Sequence, residues 1–356
     1  MVARAAPTAP VAIAKADNYA GDLSVPLAAL FDQLGGLDRI VRGKTVTVKL
    51  NLTGSPALRF EGKPLGVTHY THPKIVGAFA HLCGQAGAKR IRFVESCWAN
   101  GGPLEEYLLD SGWNVRSLVA SAPAVEFENT NNLGLGKRYS RLKVPGRALM
   151  YPAYDLNHAY EDTDVFVSLA KLKNHATCGV TLSLKNIFGI TPASIFGVDA
   201  GENGPNEKPT KGRATTLHFA RRGISKSAAQ EVSATPSRDP GFRVPRIVAD
   251  LAAARPIDLA IIDGIESIAG GEGPWVRGLR SVQPGLLIAG TNPVATDAVA
   301  MAAMGYDPRA DRDTAPFHRA DNTLKLAEAA GLGTTDLARI EVRGVSIKDA
   351  LYRFDA

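Results

Sequence analysis

The chain has 356 residues, 45% of them hydrophobic, and a formal net charge of +6. That length allows two domain-sized units or one large α/β unit with a sizeable core. The diffuse positive charge favours anionic ligands mildly and does not by itself indicate nucleic acid.

Cys83, Cys97 and Cys178 are widely spaced and include no C-x-x-C pair. A cysteine-held zinc or iron–sulfur cluster and a disulfide framework are therefore not expected, and a reducing compartment is. No run of about 18 apolar residues reads as a membrane span. The opening "MVARAAPTAPVAIAKADNY" lacks the apolar core of a signal peptide. The expected location is the cytoplasm, with an export leader removed earlier as the alternative.

In chain order, residues 1–9 are rich in alanine and proline and read as disordered. "VAIAK" (11–15) predicts a strand, residues 25–37 a helix ended by Gly35-Gly36, and the alternating "TVTVKLNL" (45–52) a strand. Residues 73–87 open on proline, close on glycine and repeat apolar side chains at three and four, so a helix is expected. "RIRFVES" (90–96) is the next strand, residues 103–112 a helix, and 120–160 a less regular region. "DVFVSLAKL" (164–172) reads as a buried strand, and 179–189 as a strand running into a turn or short helix. Residues 200–246 carry nine Lys or Arg against four Asp or Glu and few large apolar residues, which predicts a long basic loop or lid. Helix (245–255), strand (257–265), strand (285–290), helix (293–305), helix (320–333) and strand (339–344) then follow. Strand–helix–strand order predicts an α/β fold: mostly parallel twisted sheet with flanking helices. It is expected as two lobes, 10–199 and 247–346, around a cleft.

In open parallel sheets ligands bind beyond the carboxyl ends of the strands. Several strands here end on polar groups: Lys49 and Asn51; Glu95; Lys171, Lys173, Asn174 and His175; and Asp263. Charged residues at four strand ends predict one shared site. Lys49, Asn51, Lys171 and Asn186 are candidate anion contacts, and Lys173, His175 and Lys185 candidate catalytic groups. Glu272 lies in a glycine loop, "SIAGGEGPWVRG", that could aim a carboxylate at a metal. Asp297 falls in the first turns of a helix, where a carboxylate either stabilises the dipole or serves as a ligand. The loop pair His69 and His72 is a weak metal signal.

"VSLAKLKNHATCGVTLSLKNIFGI" resembles the signature of the domain-of-unknown-function family 362: a strand, then lysine and histidine, then a Thr/Ser-rich stretch closing on Lys-Asn and Gly. "GKTVTVKLNL", "THPKIVGAFAHLCGQAGAKRIRFVES", "LAIIDGIESIAGGEGP" and "LLIAGTNPVATDAVAMAAMGYDP" extend the likeness over most of the chain. Relatives carry ferredoxin-type cysteine clusters that this sequence lacks, so no iron–sulfur module is implied. His218 falls where the family places a second histidine. More distantly, the layout is similar to the nickel-pincer lactate racemase family, where histidines and lysines between two α/β lobes hold a phosphate-bearing organometallic cofactor; this is a fold-level analogy.

The expectation is a cleft that binds an anionic small molecule or phosphate-bearing cofactor, with or without a divalent metal. His175, His218, Glu95, Asp263, Glu272 and Asp297 would be the metal ligands. The reaction, redox or isomerase-like, is left open. The alternatives are a non-catalytic cofactor carrier and nucleic-acid binding through the basic loop. No G-x-S-x-G elbow, H-E-x-x-H or Walker loop is present.

Overall fold

The structure, a computed structural model, describes residues 8–97 and 103–355. The disorder expected at the N-terminus lies outside the described residues as far as residue 7. The strands are β1 (Val11–Lys15), β2 (Thr45–Lys49), β3 (Arg90–Glu95), β4 (Val125–Asn129), β5 (Ser140–Lys143), β6 (Ala153–Leu156), β7 (Val165–Lys171), β8 (Asn174–His175), β9 (Gly179–Val180), β10 (Leu259–Gly264), β11 (Ser267–Ala269), β12 (Arg280–Val282), β13 (Leu286–Gly290) and β14 (Val342–Gly344).

Eight of them form one sheet in the order β14-β1-β13-β10-β7-β2-β3-β4. Neighbours are parallel throughout except at β13, which runs antiparallel to both β1 and β10. The fold is thus α/β, with a mixed, mostly parallel sheet and flanking helices.

The sequence explains this arrangement locally. All seven residues of β7 are buried, as a continuous apolar run requires of a central strand covered on both faces. Along β10, Leu259 and Ile261 pack into one hydrophobic core while Ala260 and Ile262 pack into another. Alternation therefore feeds two cores, one per face. The helix Pro73–Gln85 starts on proline, with the His72 ring accepting from the Lys74 N–H at its N-cap.

The helix expected from residue 245 instead begins at Pro240, because the Asp239 carboxylate accepts from the Gly241 N–H. Pro245 is tolerated inside it. The carbonyl of Gly241 that its missing N–H would have bonded accepts from the Asp321 N–H at 2.9 Å. Residues 120–160, expected to be less regular, contribute β4 to the sheet edge and the hairpin β5–β6.

Strands from both parts of the chain pair directly. Leu259 to Asp263 of β10 lie beside Val167 to Lys171 of β7. The sheet therefore runs across the expected boundaries at 199/200 and 246/247. The segment between them has one helical turn, Ala214–His218, before the helix at 240, and it is packed against the body: Arg213, Thr216, Leu217, His218 and Arg243 are all buried. Because β2, β3, β7 and β10 are parallel, Lys49, Glu95, Lys171 and Asp263 all arrive at one rim.

Candidate functional site

Two separate charged clusters form at this rim. The first closes on itself. Lys171 Nζ lies 3.1 Å from Asp263 Oδ2 and donates to the Tyr19 hydroxyl (2.8 Å) and the Gly66 carbonyl (2.6 Å). Asp263 also accepts from the Tyr19 hydroxyl at 2.7 Å and the His72 N–H at 3.1 Å. Burial lowers the Lys171 pKa against the pull of Asp263. Lys173, of the same strand parity, is fully buried and donates to the His69 carbonyl at 2.5 Å. Burial pushes its pKa well down. Both lysines thus tie the sheet rim to the loop at residues 66–69. Neither lines the cavity described next.

The second cluster surrounds a cavity of about 40 Å³, lined among others by Lys49, Asn51, Glu95, His175, Lys185 and Arg213. At about 10–15 Å³ per water, it has room for roughly three water-sized groups. Lys49 Nζ is 2.5 Å from Glu95 Oε1 and donates to the Leu50 carbonyl at 2.6 Å, while Glu95 Oε2 accepts from the Leu52 N–H at 2.9 Å. Burial lowers the Lys49 pKa and the facing Glu95 opposes it. A Cβ on Gly189 would sit 2.9 Å from Lys49 Nζ and 3.3 Å from Glu95 Oε1, so a side chain there would push the ammonium from its present place. Asn51 donates to Asn186 Oδ1 at 2.9 Å, and Asn186 donates in turn to Ser168 Oγ at 3.1 Å. Asn51 Oδ1 is buried with no partner.

Lys185 and Arg213 complete the wall. The Lys185 ammonium lies 4.7 Å over the Phe188 ring and has no ion pair or hydrogen bond among the described residues. Arg213, 1% exposed, donates to Asn131 Oδ1 at 3.1 Å and the Ser96 carbonyl at 3.0 Å, and its Nε is unpartnered. No carboxylate of the described residues lies in ion-pair contact with it. Burial lowers the pKa of both groups.

His175 and Glu272 close one side, with Nδ1 and Oε2 3.8 Å apart. Glu272 accepts from the Ala176 N–H at 2.8 Å and the Trp275 indole at 3.1 Å. Burial raises its pKa, but His175 and these donors outweigh burial and hold it at about 2. Burial lowers His175 to about 3, so its ring is neutral near pH 7. The Thr177 N–H points at His175 Nδ1 from 3.1 Å, which makes Nδ1 an acceptor and assigns the proton to Nε2. His175 is therefore a hydrogen-bond donor through Nε2, whereas a metal at that nitrogen would need the opposite tautomer.

The expected metal set does not assemble. Asp263 is committed to Lys171 and Tyr19, and Glu95 to Lys49. Asp297 accepts from Ser183 N–H (2.9 Å), Ser183 Oγ (2.6 Å) and Leu184 N–H (2.8 Å), and so caps the start of the helix Leu182–Asn186 that carries Lys185. Burial raises Asp297 to about 7 against those three bonds. His218 lies edge-on to Phe188, ring centroids 5.0 Å apart, with Nδ1 unpartnered. His72 is occupied as an N-cap and stacks on Tyr19 at 3.7 Å. Among the described residues no three His, Cys, Asp or Glu side chains gather to hold a metal ion. The donor set at the cavity, rich in N–H groups, fits an anion.

The family profile for a domain of unknown function, DUF362, matches residues 46–302, well over half of the chain. The protein belongs to the DUF362 family. The matched span contains every cavity residue named above. A DUF362 chain of this kind is also similar to the thylakoid-associated protein sll1697 of Synechocystis sp. (strain ATCC 27184 / PCC 6803 / Kazusa), at 25% identity over 325 residues, which cover 90% of this chain and 81% of the relative. No helix among the described residues is long and apolar enough to cross a membrane.

Arg213 was missed by sequence reasoning. It sits in an irregular segment with no periodicity to assign it a face. The only available signal was an arginine among buried-type residues, "RATTLH".

Proposed function

We propose that this protein binds the carboxylate or phosphate group of a small molecule in the cavity between Lys49, Lys185 and Arg213. One observation carries the reading. Arg213 and Lys185 line one small cavity and neither has a carboxylate partner; Arg213 is buried, where an unpaired charge is costly, and Lys185 is half-buried beside it. A bound anion would supply the missing counter-charge, with bidentate geometry available from the guanidinium. His175 Nε2–H would donate to the same ligand, which is the arrangement needed to polarise an oxygen during a reaction. On this reading the protein is an enzyme acting on an anionic substrate in the cytoplasm; its three free, buried cysteines suit a reducing compartment. A carrier would need the cations without His175.

Nucleic-acid binding through residues 200–246 has less support. Arg243 pairs with Glu231, Lys226 with Glu202 and Arg246 with Asp321, while Arg213 points inward. Four of the nine basic residues are thus engaged within the protein, while Lys208, Lys211, Arg221, Arg222 and Arg238 are exposed without an ion pair among the described residues.

The test is calorimetric titration of the full chain with orthophosphate and with oxalate at fixed ionic strength. Saturable binding is expected, weakened roughly tenfold to a hundredfold by Arg213→Gln, the range for a lost ionic hydrogen bond. Failure of the wild-type protein to bind either anion, or equal affinity in the variant, overturns the reading.

A further inference from the structure

His175 lines a second space as well. On the far side of the hairpin β8–β9 lies a groove of about 490 Å³ whose lining includes Asn174, His175, Ala176, Arg277, His318 and Arg319. His175 lines both the inner cavity and this groove, so the two spaces adjoin at its ring. The inner cavity has room for the head of a ligand only, whereas the groove is roughly twelve times larger.

The groove has its own charge. Arg277, His318 and Arg319 are exposed, and none of their side chains has a hydrogen bond or ion pair among the described residues. The one acidic residue in its lining, Asp355, stands 4.0 Å from Arg353 and is partly neutralised there. Glu272 does not line the groove, and its carboxylate is held by the Ala176 N–H and the Trp275 indole. Two cationic spaces meeting at one histidine match a ligand that is anionic at both ends.

We infer that the ligand is a bis-anion: one carboxylate or phosphate enters the cavity at Arg213 and Lys185, the chain of the molecule passes His175, and a second carboxylate or phosphate rests on Arg277 and Arg319 in the outer groove. This rests on the anion-binding reading of the inner cavity and names the substrate class for it. The uncommitted Asn51 Oδ1 in the inner wall would accept from a hydroxyl or amide near the inner head group.

The experiment compares orthophosphate and acetate with two series of two-headed probes: α,ω-dicarboxylates and terminal alkane bisphosphonates of increasing length. The wild-type protein should bind one length in one series at least about tenfold more tightly than the single-headed ion of that series. The better series identifies the head group. Arg277→Gln with Arg319→Gln should remove about three- to tenfold of that gain, as expected for partly solvated ion pairs, and leave orthophosphate affinity unchanged. Arg213→Gln should weaken single- and two-headed probes alike. If orthophosphate binds but no two-headed probe exceeds it, or if the rim variants leave the gain intact, the bis-anion inference fails and the inner site stands. If no single-headed ion binds, both readings fall together.

Discussion

Two lysines, Lys171 and Lys185, lie fourteen residues apart in one signature stretch and meet opposite fates. Lys171 is sealed against Asp263, Tyr19 and a backbone carbonyl. Lys185 faces a cavity shared with Arg213 and has only an aromatic ring beneath it. Lys171 ends a strand and Lys185 sits on the short helix Leu182–Asn186; what separates their fates is whether the protein provides the counter-charge. A compensated buried charge holds loops in place. An uncompensated one beside a cavity is where the proposed anion would supply the counter-charge.

That contrast can be broken most forcefully at the sealed cluster. Lys171→Met leaves Asp263 as a buried, unpaired carboxylate and should cost about 3–5 kcal/mol in denaturant unfolding, with Lys171→Met/Asp263→Leu recovering much of it. Arg213→Gln, in contrast, should leave the ligand-free protein as stable as the wild type or more so. A large loss there and none at Lys171 would invert the assignment of structural and binding cations.

A second effect follows from the histidines around both clusters. Burial holds His69 at about 2, His72 at about 4 and His175 at about 3, and His218 well below its ordinary value. In the unfolded chain each takes up a proton near pH 6.5. The unfolded state therefore binds more protons below that pH, and stability is full above about pH 6.5 and lost as pH falls toward 4. Each histidine contributes up to about 1.4 kcal/mol per pH unit. Unfolding midpoints measured from pH 7.5 to 4.5 should fall steeply, with proton uptake on unfolding. A flat profile would mean these rings are charged in the native protein.

The smallest effect sharpens the comparison at Lys185 itself. Asp297→Ala removes the carboxylate that starts the helix Leu182–Asn186 and should cost about 1–2 kcal/mol, in the range of a lost N-cap. Orthophosphate affinity should fall with it, because Lys185 loses its fixed position. Unchanged affinity would show that Lys185 is positioned from elsewhere.

The rim itself was legible in the sequence. Alternating runs that end on Lys49, Glu95, Lys171 and Asp263, joined by helical crossovers, point to one edge of a parallel sheet, and the structure brings them there. The pairing among them was not legible. Parity places Lys171 and Lys173 on one side of a strand but cannot say that the carbonyls of Gly66 and His69 will wait there. Asp297 was read on its own helix, and its partners belong to another helix more than a hundred residues earlier. Arg213 comes from a segment without period, so only tertiary packing gives it a direction. The reversed strand β13 was equally hidden, because a short apolar run has no polarity of its own.

The position of β1 has a consequence for biosynthesis. Val11 to Lys15 pair with Gly290 to Leu286 on one side, and Val11 to Ile13 with Val342 to Gly344 on the other. Every hydrogen-bonded neighbour of this first strand is made in the last quarter of the chain. As the polypeptide leaves the ribosome, an apolar segment must stay unpaired until almost all of it has emerged. Closure of so long a loop makes assembly slow, with late rather than progressive acquisition of the native sheet. A nascent chain halted before residue 286 would leave β1 without either of its sheet neighbours.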